Sequence, residues 1–326
     1  DPRLWQDTLT QFGSGQGPFD TERCMAGISR REFLEKTAVG SVVAGFVASH
    51  EVGIGAAPLG LPIGSQTYPH RQMIADGKFV DLLKTLKSIG VGQIELCGYL
   101  GGAGYPEYKS LGDGKATRKI IEDNGLKAVS CHFIFPELRD NLQKAIQWSV
   151  DLGLQQMMIP TLKSGATTAT LEDAKVLTDQ FNKMAVDINK AGMRAGSHNE
   201  AFDLVKLPDG SFVYDHVIAM TDPKLIGFQF QMSTINNGMV AADYFNKYPT
   251  RFFSMHVQDV DLKVTNPPNP TTGRGGGHPQ VAVGKGSIDW AKTFAAAKKI
   301  GIKNYFVEQG MDLTKESVAA LKAMPA

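Results

Sequence analysis

The sequence predicts a single (β/α)8 barrel over residues 58–326, preceded by an N-terminal export signal. Three observations predict it. Eight short, mostly apolar runs recur from residue 61 onward, each about six residues long. Stretches with helical spacing alternate with them, and several end in glycine. The repeating part covers about 265 residues, which matches the roughly 250 residues of one such barrel.

The strand-like runs are 61–66, 92–97, 127–132, 155–160, 193–198, 225–230, 252–257 and 304–309. Apolar residues fall on both faces of most of them, as in parallel strands covered on each side. Helix-like stretches lie at 79–90, 116–125, 138–153, 171–192 and 289–301. Gly90, Gly125, Gly153, Gly192 and Gly301 stand where helices favour a left-handed C-terminal residue. A doubly wound open sheet is the competing architecture. It lacks support because no Gly-rich phosphate loop follows the first strand; GGAG (101–104) and GRGGGH (273–278) are not set between a strand and a helix. Residues 201–213 read as a small hairpin turning at Asp209–Gly210. Residues 265–280 are too rich in proline and glycine for helix or strand and read as a long loop of the lid type. Both follow predicted strands, which places them at the catalytic mouth.

Ahead of the barrel, Arg30–Arg31 and Phe33–Leu34 precede the uncharged stretch 38–48, and small residues follow at Gly55–Ala57. A basic region, a short apolar region and a small-residue exit make a cleavable export signal, here of twin-arginine type. About 11 apolar residues are short of the ~20 that span a bilayer, so the mature form has no membrane span. Met25 just precedes the motif, and residues 1–24 read as an upstream extension. The expected partner of this segment is the twin-arginine export machinery, and the expected location is periplasmic or otherwise exported.

Apolar residues at 42% and charged residues at 21% exclude a disordered or multi-span chain. With 34 basic and 33 acidic residues, the chain has no basic footprint for nucleic acid. Without residues 1–57 it keeps 29 basic and 26 acidic residues, still near neutral. Three cysteines are too few for a disulfide scaffold, and Cys97 and Cys131 sit in strand-like runs as buried free thiols.

The ionisable side chains at the strand ends are the most informative feature. Glu95 closes the second strand, His132 the third, His198 the fifth, His256 the seventh and Glu308 the eighth. Gln66 and Gln231 hold similar places after strands one and six. In a barrel these ends converge on one pocket. Burying so many acids and imidazoles without a shared purpose would cost several kcal/mol each. His198 and Glu200 are two residues apart and face one side of an extended chain. Asp259 follows His256 by three. Two imidazoles with carboxylates suit a borderline divalent ion such as Mn, Co, Zn or Fe better than Mg or Ca. There is no HExxH or CxxC, and no GxSxG for nucleophilic catalysis. Trp148, Trp290 and Phe228 read as core; Phe133, Phe135 or Tyr99, just past strand ends, are placed to stack on a sugar ring.

The segments 191–202, 221–232, 251–259, 283–290 and 303–310 resemble the xylose isomerase-like TIM barrels known as sugar phosphate isomerases/epimerases, over about residues 60–320. These share a fold with endonuclease IV. The resemblance is to an exported subgroup with twin-arginine signals. It implies a divalent ion held by His198, Gln231, His256 and Glu308. It also implies proton abstraction next to the carbonyl of a sugar or keto-sugar, through an enediolate. On that reading Glu308, His198, Glu200 and His132 are catalytic, and Glu95, Gln66, Asp259 and Lys285 meet substrate. The chain departs from the subgroup in carrying Glu200 for the usual His, Gln231 for the usual Asp, and Lys285 where an acid is common. An amide is a poorer ligand than a carboxylate, and Glu200 is placed to restore the lost charge. The same intermediate also serves elimination from, or hydration of, a 3-keto-glycoside. A non-catalytic sugar-binding barrel with a decayed metal site is the reading of a different class. The expected partner is a small carbohydrate, and an oligomer is compatible with all three.

Overall fold

The computed structural model describes residues 57–102, 104–267 and 277–325. The expected export signal and upstream extension lie outside the described residues, apart from Ala57, which is buried and accepts a hydrogen bond from the Gly60 amide. No helix among the described residues is long and apolar enough to cross a membrane.

Eight parallel strands close into a barrel: β1 Gly64–Gln66, β2 Gln93–Cys97, β3 Lys127–His132, β4 Gln156–Ile159, β5 Arg194–His198, β6 Ile226–Gln231, β7 Phe252–Val257 and β10 Asn304–Val307. Each pairs with its sequence neighbour, and β10 joins β7 to β1. A separate ribbon, β8 Asp259–Val260 with β9 Gln280–Val281, follows β7. All eight predicted strands are present: the third and seventh at the predicted bounds, the sixth shifted by one residue, and the others shorter by one to three residues.

Helices cover the barrel for the reason the pattern gave. The helix Phe79–Ile89 buries Phe79, Leu82, Leu83 and Leu86 at helical spacing and ends on Gly90 in the left-handed region, φ 98°. The helix Leu171–Lys190 begins with a capping box, in which Thr170 and Asp173 satisfy each other's backbone amides. One prediction changes form. The single helix over 138–153 is two, Phe135–Asp140 and Leu142–Leu152, broken at Asn141, whose backbone leaves the helical region. The 201–213 hairpin is reduced to one antiparallel bridge, Lys206 with Phe212, around Gly210.

The outer face of β6 and β7 is aromatic. Phe228, Phe230 and Phe252 pack on Tyr214, Tyr244 and Phe245 with ring centroids 5.2–6.5 Å apart. Trp148 donates to the Gly112 carbonyl and meets Phe133 edge-on, so both are structural. The inner face differs from the apolar expectation. Asn304 donates to Gln156 at 2.8 Å, Gln156 to the Ser130 hydroxyl at 2.9 Å, and Ser130 to Glu95. Gln229 donates to both Glu95 and Ser254 at 2.9 Å. The lumen is therefore filled by a polar column in which each member has a partner, which is what makes its burial tolerable.

Two expected substrate contacts are corrected here. Asp259 is fully buried, and its carboxylate accepts hydrogen bonds from the Gly284 and Gly286 amides and from the Trp290 indole. It locks the loop after the ribbon onto the barrel and has no capacity left for a ligand. A Cβ on Gly286 would lie 2.2 Å from the Asp259 carboxylate, so only glycine permits that approach. Lys285 points outward and pairs with exposed Glu316 at 2.8 Å. The expected lid over 265–280 falls partly outside the described residues; its described ends close as a bridge between Asn266 and Gly277 and as the β8–β9 ribbon.

Asp259→Ala strips the buried Trp290 indole and the two part-buried Gly284 and Gly286 amides of their anionic acceptor. We expect a loss of about 3 kcal/mol in urea unfolding, against about 0.5 kcal/mol for Lys285→Ala. A loss below about 1 kcal/mol for Asp259→Ala contradicts the anchoring role.

Candidate active site

The strand ends meet where parallel pairing brings them into register: Gln66 beside Glu95, Cys97 beside His132, Gln231 beside His256. The rings of His132, His198 and His256 have centroids 4.3–5.3 Å apart, although 124 residues separate the first from the last. The convergence predicted from the pattern is present.

Glu95 is the hub. It is fully buried. One carboxylate oxygen takes Gln66 at 2.8 Å, His132 at 3.3 Å and His256; the other takes Gln229 at 2.9 Å and Ser130. Burial would push this carboxyl up, but His132 and His256 outweigh it and hold it well below the usual carboxylate range. The sequence places Glu95 in contact with substrate; the structure corrects this, because both carboxylate oxygens are taken by buried donors and Glu95 is an anion that orients two imidazoles.

His256 is gripped on both sides. Its Nε2 bonds Glu95, and its Nδ1 lies 3.2 Å from Glu308. Burial disfavours the charged ring, but the Glu308 and Glu95 carboxylates overcome it and raise its pKa to about 10. Glu308 is also buried, yet His256 holds it down at about 2. One Glu308 oxygen, Oε2, accepts from Gln231 at 2.6 Å and from Gln258 at 3.2 Å besides His256. Gln231 in turn accepts from Gln258 at 2.6 Å through its own carbonyl.

This geometry corrects two of the four expected metal ligands. Both His256 nitrogens already hold carboxylates, and Gln231 turns its amide nitrogen toward Glu308 while its oxygen is taken. These two position Glu308 instead. His198 is different. It is fully buried, and neither ring nitrogen has a hydrogen-bond partner among the described residues. Burial and the neighbouring His256 charge push its pKa below the ordinary value, which leaves a neutral imidazole with a free lone pair. Its Nε2 is 3.6 Å from the half-exposed Glu200 carboxylate. His198, Glu200 and Glu308 each offer one ligand atom, all within 4.8 Å of one another. The three imidazoles form a second group within the same limit, but the nitrogens of His132 and His256 that face Glu95 are engaged. An orphaned buried imidazole beside two carboxylates is the donor set of a divalent cation. A cation fits these residues.

The site opens into a cavity of about 230 Å³ lined by Gln66, Cys97, His132, Glu200 and Glu308, with Tyr68 and Tyr105 on its wall. Gln66 lies there with its amide committed to Glu95 and its oxygen to the Tyr68 amide. The aromatic residues expected to stack on a sugar are replaced. Phe133 is buried behind the wall, Tyr99 does not line the cavity, and Tyr68 and Tyr105 do. Cys97 and Cys131 are free and buried as expected; burial and Glu95 push the Cys97 thiol up, so it stays protonated. Ser130, Gln229 and Gln258 were not singled out from sequence. Their signal was their place in the strands: Ser130 and Gln229 each stand two residues before a polar strand end (His132, Gln231), on the same face, and Gln258 directly follows β7.

No family model matches this sequence, and no curated relative matches it. Solved structures match the fold. A sugar phosphate isomerase/epimerase from Parabacteroides distasonis superposes with TM-score 0.66 at 23% identity, covering 81% of this chain and 94% of that one. A probable 3-DHS dehydratase from Bacillus anthracis gives 0.60 at 11%, covering 80% and 98%. A xylose isomerase-like TIM barrel protein from Mycobacterium smegmatis in complex with magnesium gives 0.56 at 12%, covering 80% and 95%.

The electrostatics set a pH window for the metal-free protein. His256 binds its proton more tightly folded than unfolded, so its stabilisation is complete below about pH 6.5 and disappears as pH rises through about 10. Glu308 contributes above about pH 4.5 and loses its contribution as pH falls through about 2. In a 15N imidazole titration we expect His256 to remain protonated at pH 8 while His198 is neutral at pH 7. The reverse order contradicts the assignment.

Proposed function

We propose that the protein is a divalent-metal-dependent enzyme that moves a proton next to the carbonyl of a sugar or keto-sugar, giving isomerisation or epimerisation. The observation that carries this reading is His198, a buried imidazole with no hydrogen-bond partner among the described residues, set beside Glu200 and Glu308, which line a sugar-sized polar cavity. Such cavities are smaller than the roughly 300–1,000 Å³ that hold drug-sized ligands, and 230 Å³ suits a single ring. The isomerase/epimerase name of one structural neighbour and the magnesium of another support the reading.

His198, Glu200 and Glu308 would hold the ion. When bound, it would polarise adjacent carbonyl and hydroxyl oxygens and stabilise an enediolate. Glu308 suits a ligand better than a base, because a carboxyl held near 2 is a weak proton acceptor at neutral pH. Proton transfer falls to His132. Its Nε2 is fixed by Gln229 at 2.8 Å and Glu95 at 3.3 Å, which leaves Nδ1 to the cavity. Glu95 thereby sets the tautomer of the base, as a buried carboxylate does for a catalytic histidine. Tyr68 and Tyr105 wall the ring in and exclude water from one side. The segment around Arg30–Arg31 adds export of the folded protein to the same proposal.

The test is carbon-bound hydrogen exchange in D2O, followed by NMR on a panel of free sugars and keto-sugars with Mn or Co added. We expect exchange with at least one class. Glu308→Gln should lose metal, and with it on the order of 10²–10³ in rate. His132→Ala should keep the metal and lose a similar 10²–10⁴. Exchange that survives in both variants, or no exchange and less than ~0.1 equivalent of metal in the wild type, overturns the reading. For export, lysine at both Arg30 and Arg31 should hold the protein in the cytoplasm; unchanged fractionation removes that part.

A further inference from the structure

The three residues that would hold a cation are not fixed in the same way. His198 ends β5, and Glu308 directly follows β10 with one oxygen held by Gln231, Gln258 and His256. Glu200 lies beyond the barrel strands, on the segment that leaves β5. Its half-exposed carboxylate stands 3.6 Å from His198, longer than a hydrogen bond. A glutamate chain has several rotatable bonds, so it serves as a dependable ligand only where its backbone is held for it.

That backbone is pinned on both sides of Glu200. On the near side is Asn199, fully buried and pointing away from His198 and Glu200, as alternation along an extended chain requires. Its Oδ1 accepts from the Gln231 amide at 2.7 Å, and its Nδ2 donates to the Thr234 hydroxyl at 3.4 Å. On the far side the single turn Ala201–Leu204 folds back, and the Asp203 amide donates to the Glu200 carbonyl at 3.0 Å. Ala201 opens this turn at φ 42°, in the left-handed region that a residue with a Cβ enters at a cost. Asp203 is fully buried. Its Oδ2 accepts from the Thr161 hydroxyl at 2.8 Å, and its Oδ1 has no hydrogen-bond partner among the described residues. Burial pushes this carboxyl up to about 8. Thr161 stands just past β4 and lines the inner cavity together with Glu200 and Ala201.

A left-handed alanine and a buried acid with one side-chain partner thus stand two residues apart in one short turn. Neither is needed to close the barrel. Backbone strain and underpaired buried groups persist where the surrounding structure holds a side chain in one place. We propose that Asp203 is a positioning residue: through Thr161 and the turn it closes, it fixes the Glu200 carboxylate as a ligand of the cation. The inference rests on the metal reading of His198, Glu200 and Glu308. It adds that residues outside that group set its affinity, and that the control comes from the β4 wall of the cavity.

Co2+ titrated into the full chain by calorimetry tests it, with urea unfolding of the same preparations. Glu200→Gln should weaken Co2+ binding by about ten- to hundredfold, and Thr161→Val, which keeps the side-chain shape and removes the hydroxyl, by about tenfold. Thr161→Ser keeps the hydroxyl and should bind as the wild type does. Thr161→Val added to Glu200→Gln should cost little more, because no carboxylate is left to position. Ala201→Gly probes the turn itself. Glycine adopts φ 42° freely, so this variant should match the wild type in urea and yet bind Co2+ roughly threefold or more weakly, a split that a merely structural turn does not produce. If Thr161→Val does not fold, Ala201→Gly decides alone. Unchanged Co2+ affinity in folded Thr161→Val or in Ala201→Gly overturns the positioning role, as does a Thr161→Val loss that adds in full to that of Glu200→Gln. Those results leave the metal reading standing. A wild-type chain that takes up no Co2+ overturns that reading and this inference with it.

Discussion

Everything in the upper half of the barrel depends on one buried carboxylate. Glu95 stands on β2 and accepts from Gln66 on β1, Ser130 and His132 on β3, Gln229 on β6 and His256 on β7. Side chains from four other strands are tied to a single anion with no solvent contact. An isolated carboxylate there would cost several kcal/mol to bury; with this many donors it becomes a fixed point. The barrel lumen could have been filled by branched apolar residues, as it commonly is. Here a polar column runs up it from Asn304 to Glu95 and delivers charge to the rim.

From that fixed point the charges alternate. Glu95 holds His256 positive, and His256 holds Glu308 negative. Gln231 and Gln258 complete the shell of one Glu308 oxygen and leave the other unconstrained. His198 lies outside the chain of bonds, close to His256 but without a hydrogen-bond partner among the described residues. The departure of Gln231 from the expected carboxylate therefore has a structural meaning. With an amide there, Glu308 keeps its charge against a donor rather than a second acid. In the proposed site the second carboxylate beside His198 is that of Glu200, one strand over.

The fold was almost fully legible in the sequence because parallel strands and amphipathic helices each leave a periodic trace. The site was legible as a set of strand ends, and the closed barrel turns a set of strand ends into a neighbourhood. What sequence could not give was orientation. Asp259 stands three residues after His256 and looks equally available, yet it faces backbone amides contributed from around residue 285. Glu95 reads like a substrate contact because nothing local records that its partners arrive from distant strands. Gln229 and Ser130 pass as ordinary strand residues for the same reason. Aromatic residues just past the strand ends proved ambiguous too, since a turn of one residue decides whether a ring such as Phe133 or Tyr105 faces core or cavity.

The most direct test of the whole account is an anomalous difference map from crystals grown with Mn2+ or Co2+. The account predicts one strong peak at the rim, with His198 nitrogen and carboxylate oxygens of Glu200 and Glu308 at about 2.0–2.3 Å, and Gln231 outside the coordination sphere. A peak coordinated by Gln231 and His256 without Glu200, or no peak within reach of His198, would contradict it.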